Sequence, residues 1–175
     1  MSPQFSIPLF DFCHSANTPL LIQNSDNSSA VKHSQDIKLL KTSLNELPHL
    51  AGHLFLSVPV PNSSENVDCV VLYRGLIFVL SIDHVSHDYD CAKADQVHHF
   101  ARQFKEQHQP SRDKFIIPVL VTPKAQPQAS PIHVSEDLVA NTLSDTGEHL
   151  AALLEHFSNQ YKDDEILADI WLSEL

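Results

Sequence analysis

The chain has 175 residues, enough for one domain with a substantial core and too few for two of ordinary size. Hydrophobic residues make up 42% and charged residues 19%, which excludes fibrous and disordered classes. Eleven Lys and Arg against 22 Asp and Glu give a net charge of -11, so direct nucleic-acid binding would need a local basic patch, and the sequence shows none.

No apolar run approaches the roughly 18 to 20 residues of a membrane span. The first residues, MSPQFSIPLFDFCHS, lack the basic and then apolar order of a signal peptide, so the expected setting is the cytoplasm, without membrane contact. Cys13, Cys69 and Cys91 lie far apart with no CxxC, which fits a reducing compartment and excludes a cysteine zinc site. Twelve histidines make the charge pH-sensitive: protonating all of them would carry it from -11 to +1.

Residues 1–33 read as an N-terminal arm, ordered in part at best, with a polar loop over Gln23 to Ser29. Ser34 can then cap an amphipathic helix carrying Ile37, Leu40, Leu44 and Leu47 at helical spacing and ending before Pro48. Leu54, Leu56, Val58 and Val60 alternate with other residues as in a strand that lies at an edge or ends near Pro59.

Val67 to Tyr73 and Leu76 to Ile82 are strands joined by Arg74-Gly75, the two-residue connection of a tight hairpin. If Tyr73 pairs with Leu76, Leu72 faces Ile77, Val70 faces Val79 and Asp68 faces Ser81, with Asp83 two residues on along the same face.

Lys93 to His108 places Val97, Phe100, Ala101 and Phe104 on one helical face and stops before Pro110. Phe115 to Val121 is a nearly all-apolar strand of the kind buried on both sheet faces. A proline-rich loop follows from Thr122 to Pro131. Two amphipathic patches, Glu148 to Phe157 and Asp163 to Leu175, close the chain. Trp171 in the second of these is expected in the core, with docking of a partner as the alternative use of that helix. The order is helix, three strands, helix, strand, helices: an α/β class with a mixed β-sheet flanked by helices.

An aspartate on the second strand of that order, followed thirteen residues later by the place of a Glu-x-Lys, resembles the PD-(D/E)XK nuclease layout. There, facing carboxylates hold Mg²⁺, which polarises a phosphate and activates water, while the lysine stabilises developing charge. The chain matches at Asp68 and departs at the next two places, where Ser81 stands for the glutamate and Asp83 for the lysine. Gln96-Val-His-His-Phe100, then the strand Phe115-Ile-Ile-Pro-Val-Leu-Val121, is similar to the nuclease-like N-terminal region of a group of bacterial DNA/RNA helicases. In that region a Gln-x-x-x-Tyr helix precedes an Ile-x-Pro-x-Leu-Val strand. Gln35, Val58-Pro59 and the segment Tyr161 to Leu175 extend the likeness over residues 34–175, read as a single domain. The helicase motor is missing, since no GxxxxGK[ST] occurs and the chain has three glycines, so no phosphate loop for ATP can be built.

The resemblance implies a restriction-endonuclease-like fold with a degenerate site: Asp68, Ser81, Asp83 and Gln96 at the motif positions, no cofactor expected, and function through contacts with a protein partner or a second copy. The setting it implies is bacterial nucleic-acid metabolism or defence against foreign DNA. The alternative is a nuclease dependent on Mg²⁺ or Mn²⁺ held by Asp68 and Asp83, with Gln96 orienting phosphate or water. A further candidate is a transition-metal site at His84 and His87, in a nine-residue stretch that also holds Asp83, Asp88, Asp90 and Cys91; the competing reading is a solvated loop.

Overall fold

The computed structural model describes residues 5–14, 27–47, 52–127 and 131–175, with side chains of the first helix after the gap described from residue 35. Among the described residues six strands form one mixed sheet, in the order in which they occur in the chain. They are β1 (Phe5–Pro8), β2 (His53–Pro59), β3 (Asn66–Tyr73), β4 (Leu76–Ile82), β5 (Phe115–Val121) and β6 (Leu143–Asp145). The first four are successively antiparallel, and β5 and β6 run parallel to β4. The helices are α1 (Leu9–His14), α2 (Asn27–Leu44), α3 (Cys91–Gln107), α4 (Leu150–Tyr161) and α5 (Ala168–Ser173). Among the described residues no helix is long and apolar enough to cross a membrane.

Two cores lie on opposite faces of the sheet. On one, Leu9 and Phe12 of α1, Leu40 and Leu44 of α2, and Leu154 and Phe157 of α4 pack on Leu54, Val71, Phe78, Ile117 and Val119. On the other, Val97, Phe100 and Phe104 of α3 and Trp171 of α5 pack on Phe55, Val70, Leu72, Ile77 and Val79. This is the layered α/β arrangement the element order predicts. All seven residues of β5 are buried, as a strand covered on both faces requires.

The hairpin register follows the count made from the sequence through Tyr73↔Leu76, Leu72↔Ile77 and Val70↔Val79. Arg74 (φ 50°) and Gly75 (φ 82°) both occupy the left-handed region, the geometry of a type I′ turn matched to strand twist. The ladder ends at Cys69↔Leu80, however, so the expected pairing of Asp68 with Ser81 does not form.

Other expectations are corrected in the same region. Leu54 and Leu56 lie in one core and Val58 and Val60 in the other, so the alternation breaks. The cause is Ser57, whose φ of 52° turns the chain over by one residue, with Asn66 donating to its hydroxyl at 3.2 Å. Val67 of β3 shares the second core with Val58, its pair in the register, so both strands change face together.

α2 begins at Asn27 rather than at a Ser34 cap, and Asn27 to Ser29 are helical; residues 23–26 of the expected loop lie outside the described residues. No Gly or Pro interrupts Asn27 to Ser34, so nothing in the chain stops the helix from extending upstream. α2 also stops at Leu44, short of Leu47; Pro48 lies outside the described residues. The stretch 5–14 of the N-terminal arm pairs β1 along β2 and buries Leu9 and Phe12. In the last patch only Ala168–Ser173 is helical; residues 162–167 have no regular secondary structure, and Asp163 lies against the β3–β4 turn.

Candidate functional site

The motif positions cluster where β3 begins and β4 ends, the edge that also carries the carboxyl ends of the parallel strands β5 and β6. In α/β sheets that edge is where ligands bind. The polar groups there are engaged one by one.

Asp68 is half-buried, and its Oδ2 accepts the amide hydrogen of Ile82 at 2.8 Å. The carboxylate thus takes over as acceptor one step beyond the last backbone pair of the β3–β4 ladder. Ser81 is also half-buried.

Asp83 is 4% exposed. Its backbone amide continues the parallel ladder to Val121 O at 2.8 Å. Its Oδ1 accepts from the amides of Val85 at 3.1 Å and Ser86 at 3.2 Å, folding the chain into an Asx turn. Its Oδ2 lies 2.9 Å from the Lys93 ammonium, an ion pair without hydrogen-bond alignment. Burial works to raise the Asp83 pKa, but Ser86, the Lys93 ammonium beside it and the turn amides outweigh it and hold the carboxyl well below the usual carboxylate range. Lys93 reaches it from the first turn of α3, whose N-terminus Asp90 caps by accepting from Ala92 N at 2.8 Å.

His84 turns the other way. Its Nε2 is 2.6 Å from Oδ1 of Asp36, a carboxylate of α2 that is 1% exposed. Because an ionised carboxylate only accepts, Nε2 carries the proton in this contact. Cys69 lies close by: burial, then the charges of Asp36 and Asp68, push its thiol pKa well up, which makes it an inert core residue rather than a nucleophile.

His87 and Asp88 are exposed, and Cys91 opens α3 in solvent. The histidine- and aspartate-rich stretch is therefore dispersed: Asp83 to Lys93, His84 to Asp36, Asp90 to the helix cap. Among the described residues no group of three or more His, Cys, Asp or Glu side chains is gathered so that it could hold a metal ion. Gln96 is exposed on α3, and its amide reaches Glu65 Oε1 at 3.4 Å, in the β2–β3 connection. A cleft of about 340 Å³ opens beside this edge between Asp88, Tyr89 and Ala125, Gln126, Pro127, and the Tyr89 hydroxyl closes one side on Gln126 O at 3.0 Å.

Two participants escape a reading of motifs, Asp36 and Lys93. Asp36 had a signal: it stands four residues before Leu40 and eight before Leu44, on the apolar stripe of its helix, where a carboxylate needs a partner. Lys93 had none, since only the fold brings the start of α3 against the end of β4.

Comparison with known proteins adds no relative: no family model matches the chain, and no curated protein or solved structure matches it.

Proposed function

We propose that this chain is a non-catalytic, nuclease-like scaffold of the PD-(D/E)XK type that acts through protein contacts in bacterial nucleic-acid metabolism or defence. The run α2, β2, β3, β4, α3, β5, with three antiparallel strands and then one parallel strand reached through a helix, supports the finer fold reading. The observation that carries the functional one is the engagement of both acids. Asp68 serves the Ile82 amide, and Asp83 is neutralised by Lys93 and closed by its Asx turn. A divalent ion on Asp83 would face an ammonium group 2.9 Å from the oxygen it needs, and Ser81 supplies no second charge.

The charge of -11 and the acids around the site repel a phosphate backbone and favour a basic partner surface. α5 offers a place for one: Leu167 and Ile170 are 59% and 54% exposed, with Asp163, Asp164, Glu165, Asp169 and Glu174 close in sequence. Such an apolar pair among carboxylates fits an apolar patch rimmed by Lys and Arg.

The test is calorimetric titration of Mg²⁺ and Mn²⁺ into the protein and into an Asp68→Asn, Asp83→Asn double variant, beside cleavage assays on single- and double-stranded DNA and RNA. The expected result is no variant-sensitive heat and no cleavage. Metal binding lost in the variant, together with variant-sensitive cleavage, overturns the reading in favour of a metal-dependent nuclease.

A further inference from the structure

After α4 the chain leaves one face of the sheet, crosses its lower end and lays α5 on the opposite face. The crossing is pinned at the β3–β4 turn, where Asp163 N donates to Arg74 O at 3.1 Å and Lys114 Nζ reaches Asp163 Oδ2 at 3.2 Å. Beyond it, α5 has six residues and a single fully buried side chain, Trp171, stacked between Phe55 at 5.0 Å and Phe104 at 5.5 Å between ring centroids. A helix this short has no stability of its own, so its docking decides whether it is formed.

The docking closes through one histidine. His108, fully buried at the end of α3, lies 2.8 Å by Nε2 from Trp171 O and 2.7 Å by Nδ1 from Ser111 Oγ, while Trp171 Nε1 donates to the same Ser111 Oγ at 3.0 Å. A carbonyl only accepts, so Nε2 carries the hydrogen; Nδ1 of the neutral ring then accepts the Ser111 hydroxyl hydrogen. The result is a closed ring: Trp171 indole to Ser111, Ser111 to His108, His108 to the Trp171 carbonyl. Every polar group in it is satisfied, and the circuit is complete with a neutral imidazole.

We propose that residues 162–175 form a pH-operated latch, clasped to the α3 face while His108 is neutral and released when that imidazole takes a proton from solvent. A proton on Nδ1 replaces the acceptor that Ser111 needs with a donor, and it places a charge among Phe104, Trp171 and apolar strands. Burial depresses the ring's pKa, only partly countered by the Trp171 carbonyl and by Glu174. The other charged groups of the surrounding elements point elsewhere: Lys105 of α3 donates to Lys114 O at 2.6 Å and Arg112 to Glu106 O at 3.5 Å. His53 of β2 is the second titratable ring near α5; burial lowers its pKa and the charge of Asp169 in α5 offsets this only in part, so its protonation also disfavours the folded form, and His53→Gln separates its share from that of His108.

The sign follows. A group whose folded pKa is depressed holds its contribution above the unfolded value, about 6.5 for histidine, and loses it as pH falls below. The latch is therefore closed at neutral pH and opens on acidification, by up to about tenfold in its closing constant per pH unit between the two values. Opening is local, because the sheet ladders do not include this segment. It uncovers Phe55 and Phe104.

The chain has one tryptophan, and it is Trp171, so indole emission reads the latch directly. The experiment follows emission from about pH 8 to about pH 5, spanning the histidine range, with amide exchange by mass spectrometry, in the wild type, His108→Gln and His53→Gln. The expected result is a red shift and loss of protection confined to 162–175 in the wild type and in His53→Gln. His108→Gln, whose amide can donate to Trp171 O and accept from Ser111 without titrating, should stay flat. Emission that stays constant in the wild type overturns the proposal, as does loss of the whole sheet at the same pH, or a His108→Gln transition at an unchanged midpoint. If His108→Gln does not fold, the wild type decides alone: the His108 ring titration followed by NMR must coincide with the loss of protection, and separate midpoints overturn the latch.

Discussion

The Asp68 carboxylate accepts the Ile82 amide at 2.8 Å, one step past the last backbone pair of the β3–β4 ladder. A side-chain carboxylate thereby acts as a ladder terminator. Asp68→Ala removes the carboxylate that accepts from the amide of the buried Ile82 and should cost about 1–3 kcal/mol of unfolding free energy. Asp68→Asn keeps an acceptor oxygen and should cost less. Urea denaturation of the two variants checks the order; equal costs would show that charge at this position, rather than the acceptor, matters.

The second acid gives a pH signature. Because the folded pKa of Asp83 lies below its unfolded value, its contribution to stability is complete above about pH 4 to 5 and is lost as pH falls towards the folded value. Asp83→Asn should therefore be less stable than wild type at neutral pH, with the difference shrinking as the medium is acidified through that window. Thermal melts at several pH values read the slope directly.

The sequence made the hairpin legible because its register depends on local quantities, a two-residue turn and strict alternation. The same logic failed a few residues away at Ser57, where one left-handed serine reverses the faces of Val58 and Val60. No residue type there announces a positive φ; Ser is held in it by the partner strand, which changes face at the same step. The edge strand β6 was missed because three residues carry too little pattern. The candidate site divides in the same way. Counting from the turn puts Asp68 of β3 and Asp83, just past β4, at the same end of the hairpin, although the Asp68–Ser81 pair does not form; the partners of Asp83 and His84 come from α3 and α2, brought there by burial of their apolar faces.

The turn between β3 and β4 also bears the crossing of the C-terminal segment. At Gly75 a Cβ would lie 2.5 Å from Asp163 O, and the residue's φ of +82° disfavours any side chain. Gly75→Ala should destabilise the protein by more than about 1 kcal/mol. Faster amide exchange should accompany this at 162–167, where the displaced backbone lies, and exchange mass spectrometry would detect it.

β3 is tied to α4 by the Tyr73 hydroxyl, which donates to Glu155 Oε1 at 2.6 Å. Burial and the neighbouring carboxylate push the phenol pKa far up, so the bond stays intact across the alkaline range in which an exposed tyrosine ionises. Tyr73→Phe should lose about 0.5–1.5 kcal/mol, and Glu155→Gln, which retains an acceptor, less. Ultraviolet titration of the wild type against Tyr73→Phe should show the Tyr73 phenol ionising well above the ordinary value of about 10 while the fold persists.

Trp171→Ala separates the energy of one side chain from that of the segment it anchors. Truncating a fully buried tryptophan costs about 3–5 kcal/mol where the surrounding structure cannot yield. Here it can, because α5 contributes no strand to the sheet and its one fully buried side chain is Trp171 itself. Once the segment detaches, no further stability is at risk, so the measured loss should saturate at the docking free energy of residues 162–175 and fall short of that range. The denaturant slope should fall in parallel, since a chain whose tail is already undocked exposes less new surface on unfolding. A full loss with an unchanged slope would instead place Trp171 in the same cooperative unit as the sheet and rule out local release of the tail.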